Sequence, residues 1–488
     1  MNLSKFIYSV ILVVFILVRL PGLGSDILNT DGERWHRRSE NFLNALKQHT
    51  FVETYQRYHP GVTLMWFNSI VKYVSFKYQL TYTSNPLTLE NADYFVVIHG
   101  LSKAFNVLVL AGLLGIHLFL IKQVSSSRIA YLYGFLMVFE PYMLGINRWF
   151  HQTSFEVFFG FGALLALLVW YKTDRLKYIF LSPFLLTFSV LAKVTSLILG
   201  PILLYIFIKK MFHEKKINLL PMISYGITLF LFIFIFFPAL WVDPLFVFHK
   251  MYNPVSEAVT DNIRADILAG PMNYLYYLVI LLFKLSPVTL MMFFISVFYL
   301  FKSKDFNIRV LLLSILNYYF FLTITDQKID RYALIFIPFI LLIISYYMST
   351  LDNYISTLKV YIPLTILFYI VVTWIYYPVY SAYYSPYFGG TANALKLGVY
   401  DNSGEYFAQA ARYLNSKGRD TYTYVPDGFS SFNLFYKGKI QREYTQQTNY
   451  VVKSYDMQRL NPTDPNCRIL DKSFGSKEHA VVFVWRCN

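Results

Sequence analysis

The chain has 488 residues, of which 56% are hydrophobic, 19% aromatic and 15% charged, with a formal net charge of +15. Soluble domains carry roughly a quarter charged residues, and a mean hydropathy of +0.43 excludes that class: the composition is that of a polytopic membrane protein. The excess of positive charge does not point to nucleic acid, because much of the Lys and Arg sits in short clusters between apolar runs, as in cytoplasmic loops.

Apolar runs of spanning length, about 17–25 residues, recur about eleven times. They fall near 3–20, 95–121, 129–147, 152–170, 178–192, 194–208, 217–239, 273–300, 308–325, 332–349 and 358–378. The first, Phe6 to Leu20, lacks a small-residue cleavage site and reads as a retained helix. The fifth and sixth are short, as tilted or re-entrant segments are. Lys122 and Arg128, then Lys172, Arg175 and Lys177, then Lys209, Lys210, Lys215 and Lys216, then Lys302 and Lys304 occupy alternate loops. Those loops and the N-terminus are expected to be cytoplasmic. The loops 21–94, 240–272 and 326–331, the turns near 148–151 and 193, and everything after about residue 379 then lie outside.

The first outer loop carries helical periodicity twice. Trp35, Ser39, Phe42, Leu43 and Leu46 form one stripe. Val62, Trp66, Ile70 and Tyr73 form another, after Pro60 at a first helical position. Both read as amphipathic helices in the membrane interface. Thr30 and Glu33 fit a capping box with Asp31 in the first turn, which accounts for Glu33. Asp31 is followed by Arg34, Arg37 and Arg38. A carboxylate beside several cations at a membrane surface suits a base working next to a phosphate.

Polar residues inside or at the ends of spans are the other candidates. Glu140, followed by Pro141, and Lys284 each cost about 2–4 kcal/mol to insert and are functional candidates by default; they are expected to face a shared polar cavity. Arg148 and His151 end a span, where snorkelling is the plainer explanation. Lys193, Lys328, Asp330 and Arg331 sit at outer turns, where single cations commonly meet lipid headgroups; their convergence on one face favours a site. There is no Walker loop, dinucleotide fingerprint, HExxH or metal-ligand spacing, although Asp31, His59 and His151 can meet in space. From about 379 the chain reads as a small outer α/β domain, with a helix over Ser403–Leu414, strands at Tyr422–Val425 and Ala480–Trp485, and a turn at Pro426-Asp427-Gly428. Nothing in it looks catalytic. The domains are thus 1–378, membrane-spanning, and 379–488. Cys467 and Cys487 are the only cysteines, able to pair outside or to stand as two thiols.

Asp31-Gly32-Glu33-Arg34-Trp35 with Arg38, Phe42 and Ala45-Leu46, followed by His59-Pro60-Gly61-Val62-Thr63-Leu64-Met65-Trp66, resembles bacterial multi-pass glycosyltransferases of the GT-C superfamily. These are relatives of protein O-mannosyltransferases, which use dolichyl-phosphate-mannose, and of lipid A aminoarabinose transferases. Leu191-Ala192-Lys193, Pro238-Ala239-Leu240-Trp241-Val242-Asp243-Pro244, Leu282-Phe283-Lys284-Leu285-Ser286-Pro287, Gln327-Lys328-Ile329-Asp330-Arg331-Tyr332 and Tyr383-Tyr384-Ser385-Pro386 with Gly389-Gly390 extend the likeness over nearly the whole chain. The resemblance implies a sugar donor on polyprenyl phosphate, transfer on the outer face, and a bacterial or archaeal plasma membrane. Asp31 matches the family's catalytic acidic residue. Lys193, Lys328 and Arg331 best match its lipid-phosphate cations, with Arg34, Arg38 and Lys284 as further candidates; His59, Glu140, Arg148, His151 and Asp330 complete the polar set. Two departures stand out. Many relatives have Asp-Glu where this chain has Asp31-Gly32, which leaves Glu33 as the alternative carboxylate. Relatives often place an acid two residues after His151, where this chain has Thr153; Glu156, one turn on, is expected to point into the bilayer.

The chemistry expected is a single inverting displacement. An acceptor hydroxyl attacks the anomeric carbon, Asp31 takes its proton, and cations stabilise the leaving lipid phosphate. No metal or other cofactor is required by this scheme. The partners are the bilayer, the lipid-linked donor and an acceptor that is a protein, lipid or polysaccharide. Two rivals remain: a ligase or polymerase moving a diphosphate-linked glycan, which needs more cationic contacts, and a transporter or flippase, whose internal repeat is not evident.

Overall fold

The computed structural model describes residues 3–82, 88–260, 270–325, 328–351, 354–460 and 466–487. Gln327, the outer-loop stretches 83–87 and 261–269 and the tail stretch 461–465 lie outside the described residues. The helices run in the order α1 (Leu3–Leu17), α2 (Gly32–Gln48), α3 (Val62–Tyr82), α4 (Ala92–Val124), α5 (Ser127–Phe139), α6 (Pro141–Asn147), α7 (Thr153–Thr173), α8 (Leu176–Ala192), α9 (Gly200–Glu214) and α10 (Leu220–Phe236). They continue with α11 (Ala239–Val242), α12 (Pro244–Thr260), α13 (Tyr276–Lys284), α14 (Pro287–Leu300), α15 (Phe306–Ile324), α16 (Ile337–Ser349), α17 (Tyr354–Tyr376), α18 (Gly390–Lys396) and α19 (Phe407–Asn415).

Among the described residues, six helical segments are long and apolar enough to cross a membrane, and five shorter apolar helices accompany them. Each expected apolar run falls on one of these or on a broken pair. The run 129–147 is broken: α5 and α6 meet at Glu140 with a bend of 66°, because Pro141 cannot continue the α5 hydrogen-bond ladder and instead begins α6. The run 273–300 is likewise α13 and α14, divided at Leu285-Ser286 before Pro287. At the centre stands α7, with every residue from Thr153 to Trp170 buried. Its small residues let neighbours approach closely: a Cβ on Gly160 would lie 2.9 Å from the Ser189 hydroxyl of α8.

The two helices of the first outer loop form with corrected details. The capping box is absent: Asp31 occupies the N-cap of α2, but its side chain makes no capping bond. The α3 helix starts at Val62, since Gly61 has φ +59° and Pro60 belongs to the turn before it. The inner face of α3 is polar, with Lys72 donating to His36 O at 2.6 Å, whereas Ile70 and Tyr73 are about half exposed, as a stripe facing lipid requires.

The tail holds a five-stranded sheet in the order β2-β1-β3-β5-β4, from β1 (Tyr422–Tyr424), β2 (Lys439–Gln441), β3 (Tyr450–Ser454), β4 (Ile469–Gly475) and β5 (Ala480–Arg486). β1 runs parallel to β2 and β3, and β5 antiparallel to β3 and β4. The expected helix over 403–414 begins only at Phe407, because Gly404 and Tyr406 take left-handed backbone conformations that end helical propagation. Cys467 and Cys487 are joined in a disulfide that ties the β4 entry to the end of β5. The stretch 380–405 lies against the membrane domain; Ser385 N donates to Phe283 O at 2.6 Å.

Candidate functional site

A cavity of about 350 Å³ opens among the 21–94 loop, the start of α7, the end of α8 and the Asp330–Phe336 3₁₀ turn. Asp31, Arg34, Arg38, Arg57, His59, His151, Lys193 and Arg331 line it, with Trp35, Tyr58, Gln152, Ile329 and Tyr332. Gly61 helps assemble it. Its N–H donates to Ala192 O at 3.3 Å, which ties the His59-Pro60-Gly61 turn to Lys193. A Cβ at Gly61 would lie 2.0 Å from the Trp35 ring, so a larger residue would push the turn off the cavity wall.

The Asp31 carboxylate is anchored on one oxygen. Arg331 Nη2 donates to Oδ2 at 2.9 Å, and His151 Nε2 lies 3.7 Å from the same atom. Oδ1 is 3.9 Å from Arg34, and the Asp31 side chain is partly exposed. Burial alone would raise the Asp31 carboxyl, but the neighbouring His151 N–H and the Arg331 charge outweigh it and hold the group well below the usual carboxylate range. His151 is set from behind. Thr153 N–H donates to its Nδ1 at 3.2 Å, so the neutral ring carries its proton on Nε2, facing Asp31. Burial, with Arg331 and Lys193 nearby, brings His151 down to about 4 against the opposing pull of Asp31. Burial and the Lys193 charge likewise keep His59 neutral.

Cations surround this carboxylate, several of them on aromatic faces. Lys193 lies 3.4 Å from the Tyr332 ring centre, Arg38 4.5 Å from Trp35 and Arg57 5.1 Å from Tyr58. Lys193 is also paired with Glu156 at 3.6 Å, and burial lowers it to about 8. Glu156 therefore points into the protein beneath the cavity, not into the bilayer as expected; Thr195 also donates to it. Arg38, half-buried beside Arg57, falls to about 10, mainly through burial. Arg331 Nε is buried without a partner.

The remaining candidates go elsewhere. Glu33 pairs with Arg37 at 3.0 Å along the outer face of α2 and takes no part in the cavity. Lys328 is buried and donates to Leu322 O, Thr323 O and Thr325 O; it caps the end of α15, and the backbone turn after it directs Arg331 to the cavity instead. Glu140 and Lys284 do not share a cavity. Glu140 accepts from Ser286 N at 2.9 Å and Thr289 Oγ1 at 2.5 Å, capping α14 across the helix break. Lys284 pairs with Asp330 at 3.6 Å and sits over the Tyr384 ring, which places Asp330 behind the cavity wall. Arg148 is 3.0 Å from Asp26, which also meets Lys103 at 2.5 Å in a fully buried trio. That trio fixes the α1–α2 connection; removing one partner of such a set costs about 3–5 kcal/mol. Among the described residues no three His, Cys, Asp or Glu side chains converge as metal ligands, so Asp31, His59 and His151 share a cavity without forming a ligand set.

Sequence reasoning missed Arg57 and Tyr58 in the cavity and Asp26 behind it, gave Tyr332 no role, and turned Glu156 toward the bilayer. Arg57 and Tyr58 directly precede the His59-Pro60-Gly61 motif, and that adjacency was the available signal. Asp26 is an acid only five residues before Asp31 in an apolar stretch, and intramembrane acids and bases find each other.

No family model and no curated protein matches the sequence. Solved structures do match the fold. ArnT from Cupriavidus metallidurans bound to undecaprenyl phosphate aligns with a TM-score of 0.52 at 11% identity, over 98% of this chain and 97% of that one. The apo oligosaccharyltransferase of Archaeoglobus fulgidus aligns with a TM-score of 0.51 at 12% identity, over 93% of this chain and 70% of that one. At such identities the likeness is one of fold alone.

Proposed function

We propose that the protein transfers a sugar from a polyprenyl-phosphate donor to an acceptor hydroxyl on the extracytoplasmic face, with inversion, using Asp31 as base. The observation that carries this reading is one ionised, partly exposed carboxylate, bonded to Arg331 through one oxygen, in the wall of a cavity that five cationic side chains also line. An anionic leaving group needs positive charge placed where its own charge develops; Lys193 and Arg331 supply it, with Arg34, Arg38 and Arg57 at the rim. Arg331 has a second task. While it is bonded to Asp31 it keeps the carboxylate a weak base. A donor phosphate competes for the guanidinium, and Asp31 gains basicity when the donor is in place. His151, protonated on Nε2, keeps the carboxylate turned toward the acceptor. The solved relative with undecaprenyl phosphate supports a prenyl carrier as the donor class. The scheme requires no metal ion, and turnover is expected to survive chelation; loss restored by a divalent ion would contradict it.

The test is transfer from labelled polyprenyl-phosphate sugars in membranes, comparing wild type with Asp31→Asn at matched expression. Loss of a base lowers turnover about 100- to 10,000-fold, and the wild-type product should carry the inverted anomer. Unchanged turnover in the variant would reduce Asp31 to an ion-pair partner of Arg331, and a retained anomer would sink the single displacement. One observation favours a second reading, a diphosphate-linked donor: the cavity offers five cationic side chains to one carboxylate on its lining. A donor with a diphosphate link turning over faster than its monophosphate counterpart would select it.

A further inference from the structure

We propose that Glu405, in the tail, is a positioning residue for the Asp31–Arg331 pair, acting through a closed ring of contacts. Thr30 N, one residue before Asp31, donates to Ser403 O at 3.2 Å. Ser403 N donates to Glu405 Oε2 at 2.8 Å. The other carboxylate oxygen, Oε1, accepts from Ser381 Oγ at 3.0 Å. Ser381 O accepts from Lys284 Nζ at 3.2 Å, and Lys284 lies 3.6 Å from Asp330 Oδ2. Arg331 follows Asp330 in the chain and returns to Asp31 at 2.9 Å. The two halves of the site, 300 residues apart in sequence, are therefore joined twice: once through their own ion pair, and once around the back through Glu405.

The ring is dry. Ser381, Lys284, Asp330, Ser403 and Glu405 are each no more than 4% exposed, so water does not substitute for a lost contact and displacements are transmitted. The loop is also pressed on the Asp31 segment by shape. Gly404 has φ +96°, and a Cβ there would lie 2.7 Å from Leu28 O. Each Glu405 oxygen holds a different segment, Oε1 the Ser381 turn and Oε2 the Ser403 loop. The ring rests on the geometry alone; its consequence for turnover rests on the transferase reading above.

The first measurement is hydrogen exchange by mass spectrometry on the full-length protein in detergent, for wild type, Glu405→Gln and Ser381→Ala. Positioning through the ring predicts exchange about tenfold faster in peptides covering 27–35 and 328–334, with α7 and the tail sheet unchanged. Faster exchange confined to 401–406, or spread over the whole chain, would overturn the proposal. Ser381→Ala removes a single bond of the ring and carries the same expectation if Glu405→Gln does not fold. The second measurement is turnover. Where wild type is active, Glu405→Gln should lower kcat about tenfold at unchanged donor KM, since misplaced catalytic groups cost rate more than binding. The loss should vanish in an Arg331→Gln background; losses that multiply there would also overturn it. Wild-type inactivity would count against the transferase reading alone, because the exchange pattern decides the ring without substrate.

Discussion

Lys193 sits under two opposing influences: burial drives its ammonium toward neutrality, and Glu156 at 3.6 Å restores part of the charge. The balance leaves it at about 8, far below an ordinary lysine. Its charge is therefore complete at neutral pH and is lost as pH rises through about 8. If Lys193 holds the donor phosphate, donor KM should change little between pH 6 and 7.5 and climb above pH 8, approaching about tenfold per unit well above it. Lys193→Arg should move that limb upward, since a guanidinium stays charged. A KM profile identical in the two proteins would remove Lys193 from the donor site. No matching acid limb is expected near neutrality, because Asp31 is held below the ordinary carboxylate range and stays ionised. Residues of this kind were only partly legible in the sequence. Asp31, Lys193 and Arg331 stood in motifs. Lys328 and Arg331, three positions apart at one turn, looked alike, and only the backbone path after α15 separates a helix cap from a cavity cation. Glu156 was misread because an acid one turn into an apolar run looks lipid-facing until its lysine is located.

The broken helices pose the same question for elements. Hydropathy averages over a window, so 129–147 and 273–300 each read as one span. The breaks lie in local chemistry: Glu140-Pro141 in one and Ser286-Pro287 in the other, each proline opening a new helix. What no pattern showed is that the two breaks are complementary. Glu140, released from the helix at its own break, caps the helix that starts at the other. This assigns Glu140 to stability rather than chemistry. Glu140→Ala would leave Ser286 N and Thr289 Oγ1 without their acceptor in a buried place, a loss of about 1–3 kcal/mol. Glu140→Gln keeps an acceptor oxygen and should recover most of it. Thermal unfolding in detergent separates the two. Equal losses would show that the charge, not the cap, is what matters, and would return Glu140 to the list of functional candidates.

For the whole molecule, the positive clusters and the cavity lie at opposite ends of one bundle. Lys172 donates to Val124 O at 2.8 Å, Lys210 pairs with Asp174 at 2.6 Å, and Arg128 reaches Ser349 O at 3.4 Å. These contacts gather the ends of α4, α7, α9 and α16 into a single basic face. Asp31, His151, Lys193, Arg331 and the tail sit at the other ends of the same helices, as the alternation of charged loops had implied. The positive-inside rule then predicts that the cavity faces outward. The tail's disulfide is at home there, since such bonds persist in oxidising compartments. Orientation is open to direct measurement. Both native cysteines are engaged with each other, so single cysteines can be introduced without further change. Lys216→Cys and Lys304→Cys, on exposed basic loops, should resist a membrane-impermeant maleimide in intact cells and react after permeabilisation. Asp420→Cys, on the exposed tail, should react at once. The reverse pattern would place the cavity in the cytoplasm. Soluble activated sugars are at hand there, a lipid carrier has no crossing to make, and the cation-lined cavity would need a different donor to explain it.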